Sequence, residues 1–268
     1  MSQLVFMPVQ NHVEMKFSDL GELRQKINRI NYYKPLIKKV FRSEYIEEED
    51  VRAAMLEFLK NFDFSRNKFA RHQANMERLD PSEENGKEIF FSKGRCSNCH
   101  HLGTGGQGGQ GSGYGAVSPN LIFNIGLDDE YKDKGVGART GASEDYGKFL
   151  VPVLLNVEYT SPYMHDGRFK TLDEVVEHYN SGIKNHANLD PQLRDLSSLG
   201  KGLPDSELLR LADKNHNGTL EINEVSGFPP VRLGLSSSEK RDLVAFLKTL
   251  SDPSILTDGK FSDPFSKK

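Results

Sequence analysis

Apolar positions in the first 80 residues recur at helical spacing. Leu20, Leu23, Ile27 and Ile30 follow Ser18 at intervals of three or four, which predicts a capped amphipathic helix, and Val51, Met55, Phe58 and Leu59 predict a second. Both stripes read as plain core. Asp80-Pro81 opens a third helix: Pro81 suits the first helical position, Glu83 and Glu84 suit the positive end of the helix dipole, and Ile89, Phe90 and Phe91 fill its last turn. Thr171 and Glu174 form a capping box ahead of Leu172, Val175, Val176 and Tyr179, a stripe that turns Tyr179 inward before Gly182 ends it. Ser236 and Glu239 repeat that grammar before Leu243, Phe246, Leu247 and Leu250. Strand signals are few. The best runs from Val151 to Val157, and Pro152 limits it. The pattern predicts an all-α chain with a loose tail over 252–268.

Length and charge narrow the picture further. A chain of 268 residues can bury one substantial core plus a smaller domain, and its formal charge of −3 argues against a nucleic-acid partner. Charged residues reach 27%, and no apolar run approaches the ~20 residues that cross a bilayer. A glycine-rich stretch over 103–115 lacks the Gly-Lys-Ser/Thr ending of a phosphate loop and reads as a flexible surface loop.

The two cysteines both fall in one string, Cys96-Ser97-Asn98-Cys99-His100, the attachment signature of a c-type haem. Two thiols three residues apart reach the two vinyl groups of one porphyrin, and the next imidazole, His100, is placed to ligate the iron. A redox dithiol, half of a zinc site and a disulfide fit less well. No βαβ pattern surrounds the string, His101 cannot easily turn to the metal that His100 holds, and there is no second cysteine pair. Haem c is normally attached outside the cytoplasm, whereas residues 1–8 lack the basic and apolar regions of a secretory signal. The expectation is a removed leader or a start inside a longer protein.

A second motif lies at 213–224. Asp213, Asn215 and Asn217 supply side-chain oxygens, Gly218 allows a sharp turn, Thr219 offers its carbonyl, Glu221 acts through water and Glu224 closes the loop, as in a twelve-residue EF-hand calcium site. Leu208, Leu209 and Leu211 suit the incoming helix. Gly227 and Pro229-Pro230 stunt the outgoing one, and the hand is unpaired, so a structural Ca2+ is favoured over a regulatory one.

Five segments, 94–100, 123–127, 147–152, 160–169 and 243–247, occur in the order found in the bacterial dihaem cytochrome c peroxidase and MauG family, which the chain resembles over most of residues 80–250. The resemblance implies an all-α cytochrome c domain over 80–251, a periplasmic location, and electron transfer linked to hydrogen peroxide reduction, and the calcium-type motif then reads as an EF-hand-like insertion at 203–230 of that domain. It extends upstream, where Pro8 to Met15 is similar to the segment closing the family's first haem domain, so 1–79 is expected to be a helical remnant of that domain. Glu14 then matches the distal acid-base residue, with Gln3 as its neighbouring glutamine. The chain departs from the family in lacking the first Cys-x-x-Cys-His and all tryptophan, and in carrying Leu154-Leu155-Asn156 where an arginine often meets a haem propionate.

Tyr179 stands where the peroxidases carry a methionine ligand and MauG-like proteins a tyrosine. An anionic oxygen ligand stabilises ferric iron, so Tyr179 implies a low haem potential. Met164 is its rival as sixth ligand, with His165 a weaker one. His12, His72, His178 and His186 read as surface or capping residues. The expected cofactors are one covalent haem c and Ca2+, and the expected partners are a small redox protein as electron donor and hydrogen peroxide, with a homodimer left open. The runner-up reading is a stand-alone monohaem electron-transfer cytochrome with a structural calcium site.

Overall fold

The computed structural model describes residues 6–61, 66–102 and 121–262. Gln3 and the glycine-rich stretch lie outside them. The chain divides into two compact units, Met1–Asp63 and Phe64–Lys268. The division falls before residue 79 because α5 (Lys68–Gln73) buries Phe69 in the core of the second unit, where its ring meets Phe246 edge-on at 5.2 Å.

The first unit holds α1 (Met7–Gln10), α2 (Leu20–Arg29), α3 (Tyr33–Phe41) and α4 (Glu48–Lys60). The N-cap of α2 is Asp19, whose carboxylate accepts from the Glu22 amide, and Ser18 instead donates to the Glu22 carboxylate at 2.9 Å. The cap expected at Ser18 therefore sits one residue later. Val9, Ile37, Ile46 and Val51 form the buried centre, and Leu20, Leu23, Ile27 and Met55 pack against it. The predicted stripes are only half used: Phe58 stays 49% exposed and Leu59 42%. An open apolar trough of about 750 Å³, lined by Leu23, Ile27, Phe41 and Phe58 among others, explains the difference at Phe58, which faces a concavity rather than a closed core.

The second unit is built on α6 (Pro81–Phe91) crossing α11 (Ser237–Lys248). Both carry capping boxes, Asp80 with Glu83 and Ser236 with Glu239. They approach closely at Gly86, where a Cβ would lie 1.9 Å from the Asp242 carbonyl oxygen, so only a hydrogen side chain permits the crossing. Phe90 and Phe246 are fully buried there, joined by Leu172 and Val176 of α8 (Leu172–Glu177).

The rest of the unit is short elements: α7 (Gly137–Thr140), α9 (Asp205–Ala212), α10 (Ile222–Val225), and the strands β1 (Ile122–Phe123) and β2 (Phe149–Leu150). The strands pair antiparallel with Ile122 opposite Leu150. The strand expected over Val151–Val157 does not form. The named strand ends at Leu150 and one further bond, from the Val151 amide to the Leu121 carbonyl at 3.0 Å, precedes Pro152, which has no amide to donate, and Val157–Tyr159 is a 3-10 turn. The tail is also more ordered than expected, since Asp252 is buried, accepts from the Ser254 amide and donates its own amide to the Asn156 side chain.

Candidate functional site

The haem-attachment string begins where α6 unwinds. The Gly94 amide donates to the Ile89 carbonyl at 2.7 Å, and Arg95 takes a left-handed conformation, φ 54°, that starts a single 3-10 turn over Cys96–Asn98. The His100 amide closes that turn on the Cys96 carbonyl at 2.9 Å. Both thiols therefore belong to one turn. They are free cysteines, and burial pushes each thiol pKa up to about 12, with Asp190 adding repulsion at Cys99.

His100 is held neutral. Burial pushes its pKa down to about 4, against a smaller opposing effect of the nearby Pro152 carbonyl. A neutral imidazole keeps the lone pair of one ring nitrogen, and that is the form that ligates a metal. Pro152, which sequence reading treated only as a strand breaker, brings its carbonyl near that ring.

Tyr179 is brought to the same place by a network around Asn124, which is fully buried. Its side chain accepts from the Gly126 amide at 2.9 Å and from the Tyr131 hydroxyl at 3.2 Å, and donates to the Tyr146 carbonyl at 3.0 Å. This fixes the segment 124–127, whose Ile125 carbonyl accepts from His178 Nε2 at 3.1 Å. His178 is accordingly 5% exposed, and not the surface or capping residue its sequence context implied. Beyond α8 the chain widens into a π-helical turn, His178–Gly182, that carries Tyr179 against Ile183, Leu189 and Val231. Burial raises the Tyr179 phenol above its ordinary pKa, and the Cys99 and Cys96 sulfurs are near enough to raise it further. The tyrosine thus stays protonated unless a cation draws the proton off.

Met164 sits at φ 72° in a turn closed by the Gly167 amide, which donates to the Met164 carbonyl at 3.3 Å, and it is half-buried. His165 next to it stacks on Phe149 at 3.8 Å and is committed to that ring. Glu14 lies in the first unit, exposed in the turn after α1, with its amide donating to the Asn11 carbonyl at 3.1 Å.

The residues present fit a haem c. A paired-thiol turn, a neutral imidazole and a buried phenol near enough to both sulfurs to feel their charge are the groups such a haem would use. The helical stripe alone turned Tyr179 inward, but nothing in the pattern pointed to Asn124 or the Ile125 carbonyl, which join segments distant in sequence.

The loop at 213–224 is compact. Asp213 accepts from the Gly218 amide at 2.8 Å, and Gly218 has the φ of 78° that its sharp turn requires. Glu224 accepts from the Lys214 amide at 2.8 Å, the Asn215 amide at 3.1 Å and the Glu221 amide at 2.9 Å. Both carboxylates are buried, Asp213 to 7% exposure and Glu224 to 6%, with no ion-pair partner among the described residues. Among those residues no three His, Cys, Asp or Glu side chains gather as a metal cage, so Asn215, Asn217 and the Thr219 carbonyl must complete any oxygen shell. As expected, Leu208 is buried and α10 is only four residues long, but Leu211 points outward at 43% exposure.

Sequence reading also missed Arg194. It is 1% exposed, donates to Asn185 Oδ1 at 2.5 Å, the Phe228 carbonyl at 2.8 Å and the His186 carbonyl at 2.8 Å, and leaves its Nε without a partner.

Among known proteins, residues 1–78 match the di-haem cytochrome c peroxidase family. A cytochrome-c peroxidase from Denitromonas iodatirespirans is 30% identical over 190 residues, covering 65% of this chain and 40% of that protein. The methylamine utilization protein MauG of Methylophilus methylotrophus is 27% identical over 223 residues, covering 81% and 61%. In structure, a MauG-like protein associated with microbial copper homeostasis superposes with a TM-score of 0.67 at 25% identity, over 99% of this chain and 72% of that one. The fold is also that of the diheme peroxidase BthA of Burkholderia thailandensis, with a TM-score of 0.56 at 20% identity, over 94% and 63%. The chain thus spans between 40% and 61% of the length of these two curated relatives. By its matched first segment, its curated relatives and its fold, it is similar to the bacterial dihaem cytochrome c peroxidases and MauG proteins.

Proposed function

We propose that this chain is the electron-relay half of a dihaem peroxidase of MauG-like character. It holds one covalent haem c on Cys96, Cys99 and His100 and passes electrons toward hydrogen peroxide reduction. The observation that carries the reading is the single turn that holds both thiols ahead of a buried, neutral His100, with the Tyr179 phenol near enough to feel both sulfurs. When bound, the haem supplies a one-electron ferric/ferrous couple.

The chain's residues set the terms of that couple. Burial holds His100 neutral and so leaves one ring nitrogen for iron, and His178 and Asn124 hold the turn carrying Tyr179. Tyr179 must lose its proton to ligate, and the tyrosinate then favours the oxidised state and keeps the potential low. Met164 needs no such deprotonation, so it is the competitor. Phe in place of Tyr179 is expected to abolish a tyrosinate-to-iron absorption band that Met164→Leu leaves intact. The reverse pattern would make Met164 the ligand.

Glu14, with Gln3 as the companion glutamine that the resemblance implies, is read as the acid-base residue of a peroxide-reacting site, moving a proton between the peroxide oxygens. What supports this is the family match over residues 1–78. On this reading 1–79 belongs to a first haem domain, the protein works in the periplasm, and a small redox protein is the donor. The insertion at 203–230 carries a structural Ca2+ on Asp213, Asn215, Asn217, Thr219, Glu221 and Glu224. Its support is the pair of buried carboxylates that no cation meets among the described residues.

The test is peroxide turnover by the haem-matured chain, with one haem verified by mass and a reduced small cytochrome as donor. No turnover beside reversible one-electron reduction fits the relay. Rapid donor oxidation that requires peroxide would make this haem catalytic by itself. A monohaem carrier is the second reading, favoured by the single Cys-x-x-Cys-His in these 268 residues.

A further inference from the structure

The insertion lies directly on the haem-attachment string. Helix α9 begins at Asp205, whose carboxylate accepts from Arg95 Nη2 at 2.7 Å. Arg95 is the left-handed residue before Cys96, and its carbonyl accepts from the Asn98 amide at 3.1 Å. Arg95 Nη1 also reaches the Gln192 carbonyl at 3.4 Å. Arg95 and Asn98 share a narrow cleft with Asp205, Leu208 and Leu209, so one end of α9 rests on the turn that carries both thiols.

The other end of α9 runs into the calcium-type loop. Its eight residues span about 12 Å at the helical rise. Asp213 follows its last residue, and Glu224 accepts from the two amides after Asp213. Two buried carboxylates therefore stand at the negative end of the α9 dipole, where anions are unfavourable and a cation is favourable. The small core beneath α9, Leu196, Leu208, Ala212 and Val225, spans both sides of the loop, so a loop that loosens also loosens the helix. Arg194 pins the far side of the insertion through the Phe228 carbonyl.

We propose that the insertion is a calcium-dependent clamp on the haem string. Ca2+ bound by Asp213, Asn215, Asn217, Thr219, Glu221 and Glu224 offsets the buried negative charge behind α9. This holds Asp205 on Arg95 and so fixes the Cys96–Asn98 turn. The inference rests on the calcium reading given under Proposed function and adds what that site acts upon.

The test uses the full haem-bearing chain with CaCl2 or a chelator. Calcium binding is measured by calorimetry, and hydrogen exchange is followed at the Asn98 and Cys99 amides. Calcium should slow that exchange roughly two- to fivefold, the range expected for a partly exposed ion pair held or released. Glu224→Gln should lose both calcium binding and the calcium-dependent slowing. Asp205→Asn should still bind calcium while exchange at the haem string no longer responds. If the native chain binds calcium and exchange at these amides is unchanged, the clamp is overturned and the calcium site stands. If calorimetry shows no binding, both fall together.

Discussion

Glu239 accepts from Lys93 Nζ at 2.8 and 2.9 Å and from the Ser236 amide at 2.7 Å, and its pKa is pushed down to about 2, chiefly by Lys93. A depressed carboxylate stabilises the fold above its unfolded value near 4.5, and that contribution is lost as pH falls from there through 2. Glu239→Gln should therefore flatten the stability profile between pH 4.5 and 2 in acid titrations followed by circular dichroism. Arg194 poses a different problem, because its removal leaves three oxygens without donors. Arg194→Met is expected to cost more than about 2 kcal/mol in urea unfolding, and Arg194→Lys should recover little, since one ammonium cannot span the acceptors that a planar fork reaches. Of these two residues, Glu239 was legible as half of a capping box. Arg194 was not, because its burial depends on partners at Asn185, His186 and Phe228 that no local pattern links to it.

At the scale of elements, capping signals were the most readable. The boxes at Thr171 and Ser236 start α8 and α11 as the pattern predicts, because their hydrogen bonds close within four residues. The departures arise where a distant segment competes for the backbone. Pro152 ends the strand and brings its carbonyl near His100, and the π-helical turn at 178–182 follows where His178 is claimed by the Ile125 carbonyl. Gly86 shows the same dependence in packing. Gly86→Ala pushes a methyl into the Asp242 carbonyl and the Phe246 side chain, so it should destabilise the second unit by about 1–3 kcal/mol despite alanine's better helix propensity. Thermal unfolding monitored by circular dichroism checks this, and a neutral or stabilising effect would refute the close crossing.

Across the whole molecule, the two units differ in how well they are closed. The second buries Phe90, Phe246, Leu250 and their neighbours in one continuous core, whereas the first leaves Leu36, Val40 and Phe58 exposed around an open trough. Hydrogen exchange read segment by segment should find 20–60 opening at lower denaturant than 81–91 and 237–248. Equal protection would mean that the trough is covered in solution. The haem-attachment signature, the calcium-type motif and the capped helix starts were legible in the sequence by itself, because each rests on residues a few positions apart whose geometry is local, and the mostly helical class followed from the family resemblance. Only the tertiary structure decided that the Pro152 carbonyl lies near His100, that Asn124 and Ile125 position Tyr179, that Arg95 meets Asp205, and that the first unit's stripes stay half open. Those outcomes turn on contacts between residues tens of positions apart, where burial and hydrogen-bond satisfaction are settled by the fold as a whole.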